Sequence, residues 1–295
     1  VTFGWKIFND RIDHLTSVHR AMGQQYRKPL NTFSIRMFHH YIGIDYSGRG
    51  TCTTRTSAIQ VYRAETGLDA SVVNSPASTE NRRRNWCRQE VAEWLLKEIE
   101  QGKSFIAGID HGFSLPVSYM QRFSLNNWPE FLNDFCNHWP TDQPDVSVDD
   151  VRKKLSNQLG RIGKPDEYRL AERWTSSAKS VFQFDVQGSV AKSTHAGIPW
   201  IQKLRTEAGD RLHCWPFDGW KIPKNRCVIA EVFPSIFRQR YPRGNRHADA
   251  QDAYSVARWL SEADQNLQLQ HFFEPFLTIE QRKLANLEGW ILGIM

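Results

Sequence analysis

The 295-residue chain has no apolar run near the ~18 residues that a membrane-spanning helix needs, so no membrane partner is expected. Its first twenty residues, VTFGWKIFNDRIDHLTSVHR, lack an apolar h-region and carry charges throughout, which argues against a secretory signal. Cysteine is scarce. The five residues Cys52, Cys87, Cys136, Cys214 and Cys227 are odd in number, widely spaced and form no C-x-x-C pair. That pattern argues against a disulfide framework and a structural zinc site, and fits free thiols in a reducing, cytoplasmic setting. There is no internal repeat and no low-complexity tract. What remains is an ordinary globular composition, 40% hydrophobic and 24% charged, long enough for one large domain or two small ones.

The net charge is +6, but it is unevenly spread. Residues 1–40 hold six basic groups (Lys6, Arg11, Arg20, Arg27, Lys28, Arg36) and two acids (Asp10, Asp13), while the other 255 residues carry 32 basic and 30 acidic groups. Overall charge is therefore weak evidence that the main body binds nucleic acid. Residues 1–39 read as a basic N-terminal extension, either a disordered arm or a helix around Asp10–Met22. Two local basic clusters stand out, Arg82-Arg83-Arg84 and the run from Arg238 through Arg240 and Arg243 to Arg246. Such clusters read equally as solvated faces.

From His40 onward the chain patterns as α/β. HYIGIDYSG is a short buried strand ending in Asp45 and a Ser-Gly turn. Runs at 56–64 and 70–75 complete an expected antiparallel meander. A helical period covers 85–102 and stops at Gly102. SFIAGIDHGF is a second strand, and it again delivers an aspartate, Asp110, to its end. Residues 116–180 are rich in Trp, Pro and charge, and read as a helical insertion with helices near 129–138, 148–159 and 166–173. A glycine-hinged loop is expected at 188–197, a helix around 199–208, and strands at 211–217 and 227–233. A helix follows from HADAQDAYSVARWL, and a last one spans 278–292.

Four or five carboxylates fall at places one site would need. Asp45 and Asp110 close parallel-type strands, where α/β sheets carry their sites. Glu231 interrupts the apolar strand VIAEVF, and a core-facing carboxylate needs a partner. Asp249 and Asp252 open the following helix. Each has a plain structural alternative: turn formation for Asp45 and Asp110, a buried arginine pair for Glu231, helix-start electrostatics for Asp249 and Asp252. Brought together they would repel, and Mg²⁺ or Mn²⁺ would relieve that repulsion.

The ordered set GIDYSG, GIDHGFSLP, GSVAKSTHAGIPWIQKL, AEVFPSIFR, ADAQDAYSVARWL and EGWILGI resembles a bacterial family of uncharacterised, predicted nucleases with the RNase H-like fold. The ADAQDAY element is also similar to the last helix of RuvC-type Holliday-junction resolvases. The resemblance covers about 85% of the chain. It implies a five-stranded mixed sheet with helices on both faces, over residues 40–295. It further implies a two-metal phosphodiester hydrolase acting on DNA or RNA. Asp45 would bridge both ions, Asp110 or Glu231 would bind one, and Asp249 or Asp252 the other. Asp252 is preferred over Asp249 because it begins the apolar face. The resolvases carry Glu at the end of their fourth strand, where this chain has Asp110. Ser47, Lys192, Arg246 and His247 are the candidate substrate contacts, with the 188–197 loop beside them. Two alternatives remain open. One is an ATP-binding protein of the actin-like or sugar-kinase type, suggested by GIDYSGRGTCTT; the other is a non-catalytic nucleic-acid-binding module.

Overall fold

The computed structural model describes residues 36–175 and 177–295. The readings made for residues 1–35 lie outside the described residues. Six strands form one sheet in the order β3-β2-β1-β4-β6-β5. Strand β1 (His40–Asp45) is buried throughout and pairs antiparallel with β2 (Gln60–Glu65), which pairs antiparallel with β3 (Ser71–Val72). This is the expected meander. On the other side β1 pairs parallel with β4 (Phe105–Ile109), β4 with β6 (Cys227–Glu231), and β6 with the edge strand β5 (Leu212–Trp215). Parallel neighbours need crossovers, and helix α1 (Arg88–Glu100) supplies the one leading to β4.

Side chains alternate across the sheet, so each strand feeds two cores. On one face Ile42, Ile44, Ala107 and Ile109 pack with α1, with α3 (Trp128–His138) and with α7 (Ala191–Ala208). On the other, Tyr41, Ile106, Val228 and Ala230 pack with α8 (Ala248–Gln265). Residues 116–180 hold α2 (Val117–Arg122), α3, α4 (Val148–Lys154), α5 (Leu159–Ile162) and α6 (Leu170–Trp174). Phe131, Phe135 and Trp139 of this stretch are fully buried in the first core. The short helices α9 (Leu269–Phe272) and α10 (Ile279–Glu288) follow α8.

The two GID motifs now have a packing reason. Gly43 and Gly108 are register partners on neighbouring strands, directly beneath α8. A Cβ on Gly43 would stand 2.0 Å from the backbone oxygen of Ala253, and one on Gly108 2.7 Å from Val256 Cγ1. Only glycine lets the helix come this close. Because side chains repeat every second residue, Asp45 and Asp110 then project toward the same helix. Gly43→Ala is therefore expected to lower stability by about 3 kcal/mol through overpacking against backbone. A melting temperature equal to that of the unmodified protein would overturn this account.

The helix expected near 166–173 begins only at Leu170 and the one expected at 148–159 ends at Lys154, and two further segments differ more. The helix expected at 199–208 begins at Ala191 and runs through Pro199. Proline frees the carbonyl four residues earlier, on His195, and the Thr141 hydroxyl donates to that carbonyl at 2.8 Å. The expected loop is thereby reduced to the residues just before Ala191. The final helix stops at Glu288 rather than 292, because Gly289 takes φ 80°. The tail then runs beside β6, where the N–H of Leu292 donates to the Glu231 carbonyl at 2.9 Å. No helix among the described residues is long and apolar enough to cross a membrane.

Candidate metal centre

Asp45 ends β1, and Asp110 follows β4 with its N–H donating to the Ile44 carbonyl at 2.9 Å. That bond continues the parallel ladder by one residue and holds the two carboxyls side by side. Helix α8 crosses above them. His247 stands at its N-cap without a side-chain cap bond, Asp249 lies in the first turn, and Asp252 is one turn further in. Asp252 is 6% exposed, whereas Asp249 is half-buried. The aspartate that begins the apolar face thus points inward.

The electrostatics record the crowding. Asp45 is held well above the usual carboxylate range by burial, then by the nearby Asp110, Asp252 and Asp249 charges. Asp110 is also raised, by burial first and then by Asp252 and Glu231. Its Oδ1 is shut away from solvent with no hydrogen-bond partner among the described residues. An orphaned carboxylate oxygen beside two further carboxylates is what a hard divalent cation would satisfy. The donor chemistry therefore fits Mg²⁺ or Mn²⁺. As the side chains stand, however, no group of three or more His, Cys, Asp or Glu could hold a metal ion among the described residues. Asp252 is turned to Arg238, whose Nε donates to Oδ1 at 2.5 Å and whose second amine donates to Oδ2.

Glu231 has a different environment. Arg169 is fully buried and forks onto both Glu231 oxygens, at 2.5 and 2.7 Å. The same guanidinium donates to Glu172 at 2.8 Å and to the Glu288 carbonyl at 3.3 Å. The buried arginine partner anticipated for Glu231 is thus Arg169, from the helical stretch 116–180. Glu288 in turn accepts from the backbone N–H groups of Val117 and Leu170, each at 2.6 Å. Asp110, Arg169 and Glu231 share the lining of one small cleft with His111, Lys179 and Gly188. Burial pushes His111 down to about 4, and its Nδ1 bonds the Gly112 carbonyl, so it is neutral at physiological pH.

The four expected substrate contacts divide between two flanks. Ser47 and Lys192 lie on adjoining segments: a Cβ on the next residue, Gly48, would stand 2.1 Å from the Lys192 oxygen. The buried Arg88 anchors that turn by donating to the carbonyls of Ser47, Arg49 and Gly50. The Ser47 hydroxyl accepts from the Arg49 N–H, and the Lys192 ammonium reaches Asp149 at 2.7 Å. On the other flank, Arg246 lies 3.5 Å over the Tyr254 ring and donates to Gln251 at 2.8 Å, while His247 is exposed. Sequence reasoning missed Arg169 and Arg238 as individual residues. Arg238 was visible only as one member of a basic run. Arg169 sits in DEYRLAERW, which reads as a solvated mixed-charge helix.

Compared with protein-family models, curated proteins and solved structures, the chain finds no match.

Proposed function

We propose that this chain is a divalent-metal-dependent phosphodiester hydrolase, a nuclease of DNA or RNA built on an RNase H-like core. The observation that carries the reading is the crowding of Asp45, Asp110 and Asp252 close enough to oppose one another's charge, delivered by two parallel strands and the helix that crosses them. The mixed sheet with helices on both faces supports the same core, with β5 as a sixth strand at the edge. Asp45, Asp110 and Asp252 would hold Mg²⁺ or Mn²⁺, one or two ions, with Asp249 at the margin. When bound, the metal supplies charge neutralisation and Lewis acidity at a phosphodiester. The chain's own groups do the rest. Exposed Arg243, whose charge acts on Asp252, suits a phosphate contact that positions a strand. In this reading Glu231 stays with Arg169 and supports the wall of the cleft.

The test is a panel of labelled single-stranded, duplex and branched DNA and RNA, incubated with Mg²⁺ or Mn²⁺. Cleavage of at least one substrate, stopped by EDTA, is expected. EDTA-insensitive binding without cleavage would replace the reading with the non-catalytic module. ATP binding by calorimetry without cleavage would favour the kinase-like alternative.

A further inference from the structure

We propose that Arg238 is a displaceable counter-cation that competes with the divalent metal for Asp252 and so sets the metal concentration at which the site fills. This inference rests on the metal-dependent reading above. Both Asp252 oxygens are taken by the Arg238 guanidinium, the same oxygens a metal ion shared with Asp45 and Asp110 would need. Asp45, Asp110, Asp249 and Asp252 interact with one another, and Arg238 is the arginine that acts on both Asp110 and Asp252. Arg238 hydrogen-bonds Asp252 while Arg243 acts on it through charge, and Asp110 Oδ1 has no hydrogen-bond partner among the described residues.

Arg169 and Arg238 both hydrogen-bond carboxylates of this region, and of the two only Arg238 is free to leave. Arg169 is completely buried and fixed by Glu172, Glu231 and the Glu288 carbonyl. The Arg238 side chain is 46% exposed and reaches in from the solvent side. Its backbone is tethered separately: Gln251 donates to the Arg238 carbonyl at 3.2 Å and to the Tyr241 carbonyl at 2.9 Å. The guanidinium can therefore swing while the loop stays docked on α8. Once released, it sits beside the cluster as a planar two-pronged donor, the geometry that suits a phosphate oxygen pair. A metal ion and a substrate phosphate would thus pull Asp252 and Arg238 apart together.

The experiment is a calorimetric titration of Mn²⁺ into the full chain, in wild-type, Arg238→Gln, Arg238→Lys and Asp45→Asn forms. Melting curves are recorded with and without Mn²⁺. A half-exposed ion pair has a modest effect, so Arg238→Gln is expected to bind Mn²⁺ about fivefold more tightly. Arg238→Lys, which keeps the charge without the fork, falls between Arg238→Gln and wild type, and carries the test alone should the glutamine variant aggregate. The melting deficit of Arg238→Gln in metal-free buffer should vanish in saturating Mn²⁺, because the loaded state has already broken the pair. Affinity equal to or weaker than wild type in the arginine variants overturns the role of Arg238. Mn²⁺ binding lost in Asp45→Asn but unchanged in the arginine variants sinks that role alone. Mn²⁺ binding that ignores Asp45→Asn removes the metal-site reading and this inference with it.

Discussion

Asp45→Asn is expected to reduce metal-dependent cleavage by more than about 10³-fold while leaving the fold as stable as before, or more so. The two halves of this result have one cause. Asp45 is 9% exposed at the end of a fully buried strand, and the charges of Asp110, Asp252 and Asp249 oppose its own ionisation. Asparagine keeps the shape and removes the charge. Its amide is a poor ligand for a hard cation, so the chemistry is lost. The stability effect follows from the sign of the pKa shift. A carboxyl whose folded pKa is raised stabilises the fold fully below its unfolded value, near ~4, and loses that contribution as pH rises through the folded value. Metal-free wild type should therefore lose melting temperature as pH climbs above that range, and the asparagine variant should lose less. Added Mn²⁺ should raise the wild-type melting temperature at neutral pH and do little for the variant. Undiminished cleavage by Asp45→Asn would sink the proposed role, as would a large drop in its melting temperature.

Arg169→Met is expected to cost about 3–5 kcal/mol of stability, the usual consequence of removing one partner from a buried charge network. Arg169 is fully buried and bonds Glu231 twice, Glu172 once and the Glu288 carbonyl once. Glu172, Glu231 and Glu288 are themselves nearly inaccessible, so methionine would strand them. The network joins the start of α6, strand β6 and the end of α10, so its loss reaches three elements at once. Burial already raises Glu172 and Glu288, and the arginine offsets part of that rise. Without it the carboxyls should protonate at higher pH, and the variant should regain stability as pH falls. Arg169→Lys should rescue little, since one ammonium cannot reproduce a fork shared between two carboxylates. Chemical denaturation across pH 5–8 checks the prediction; a loss near zero at neutral pH would show that the network contributes little.

Much of the architecture was legible because it rests on local periodicity. The meander, both GID strands, the helix after Asn85 and the long helix beginning near Asp249 all follow from apolar spacing and turn residues. The missed helix start at Ala191 had a non-local cause. A lone Pro199 and Gly197 read as breakers, and only Thr141, far away in sequence, satisfies the carbonyl that proline frees. Gly197 is small because His111 packs against it, where a Cβ would stand 2.4 Å from the ring.

For the candidate site, sequence alone determined the positions of the aspartates. Strand ends and a helix start place carboxylates predictably, since they obey the two-residue and 3.6-residue repeats. It also explained why Asp252 would point inward and Asp249 would not, because helical spacing assigns each residue a face. Charge partners were decided only by tertiary structure. Glu231 could have turned toward the metal cluster or toward an arginine, and Arg169, 62 residues away, takes it. Arg238 could have been a solvated surface charge, and it holds Asp252 instead. Ion pairs are formed by whichever charges the fold brings within a few ångströms, and no periodicity in the chain encodes that distance.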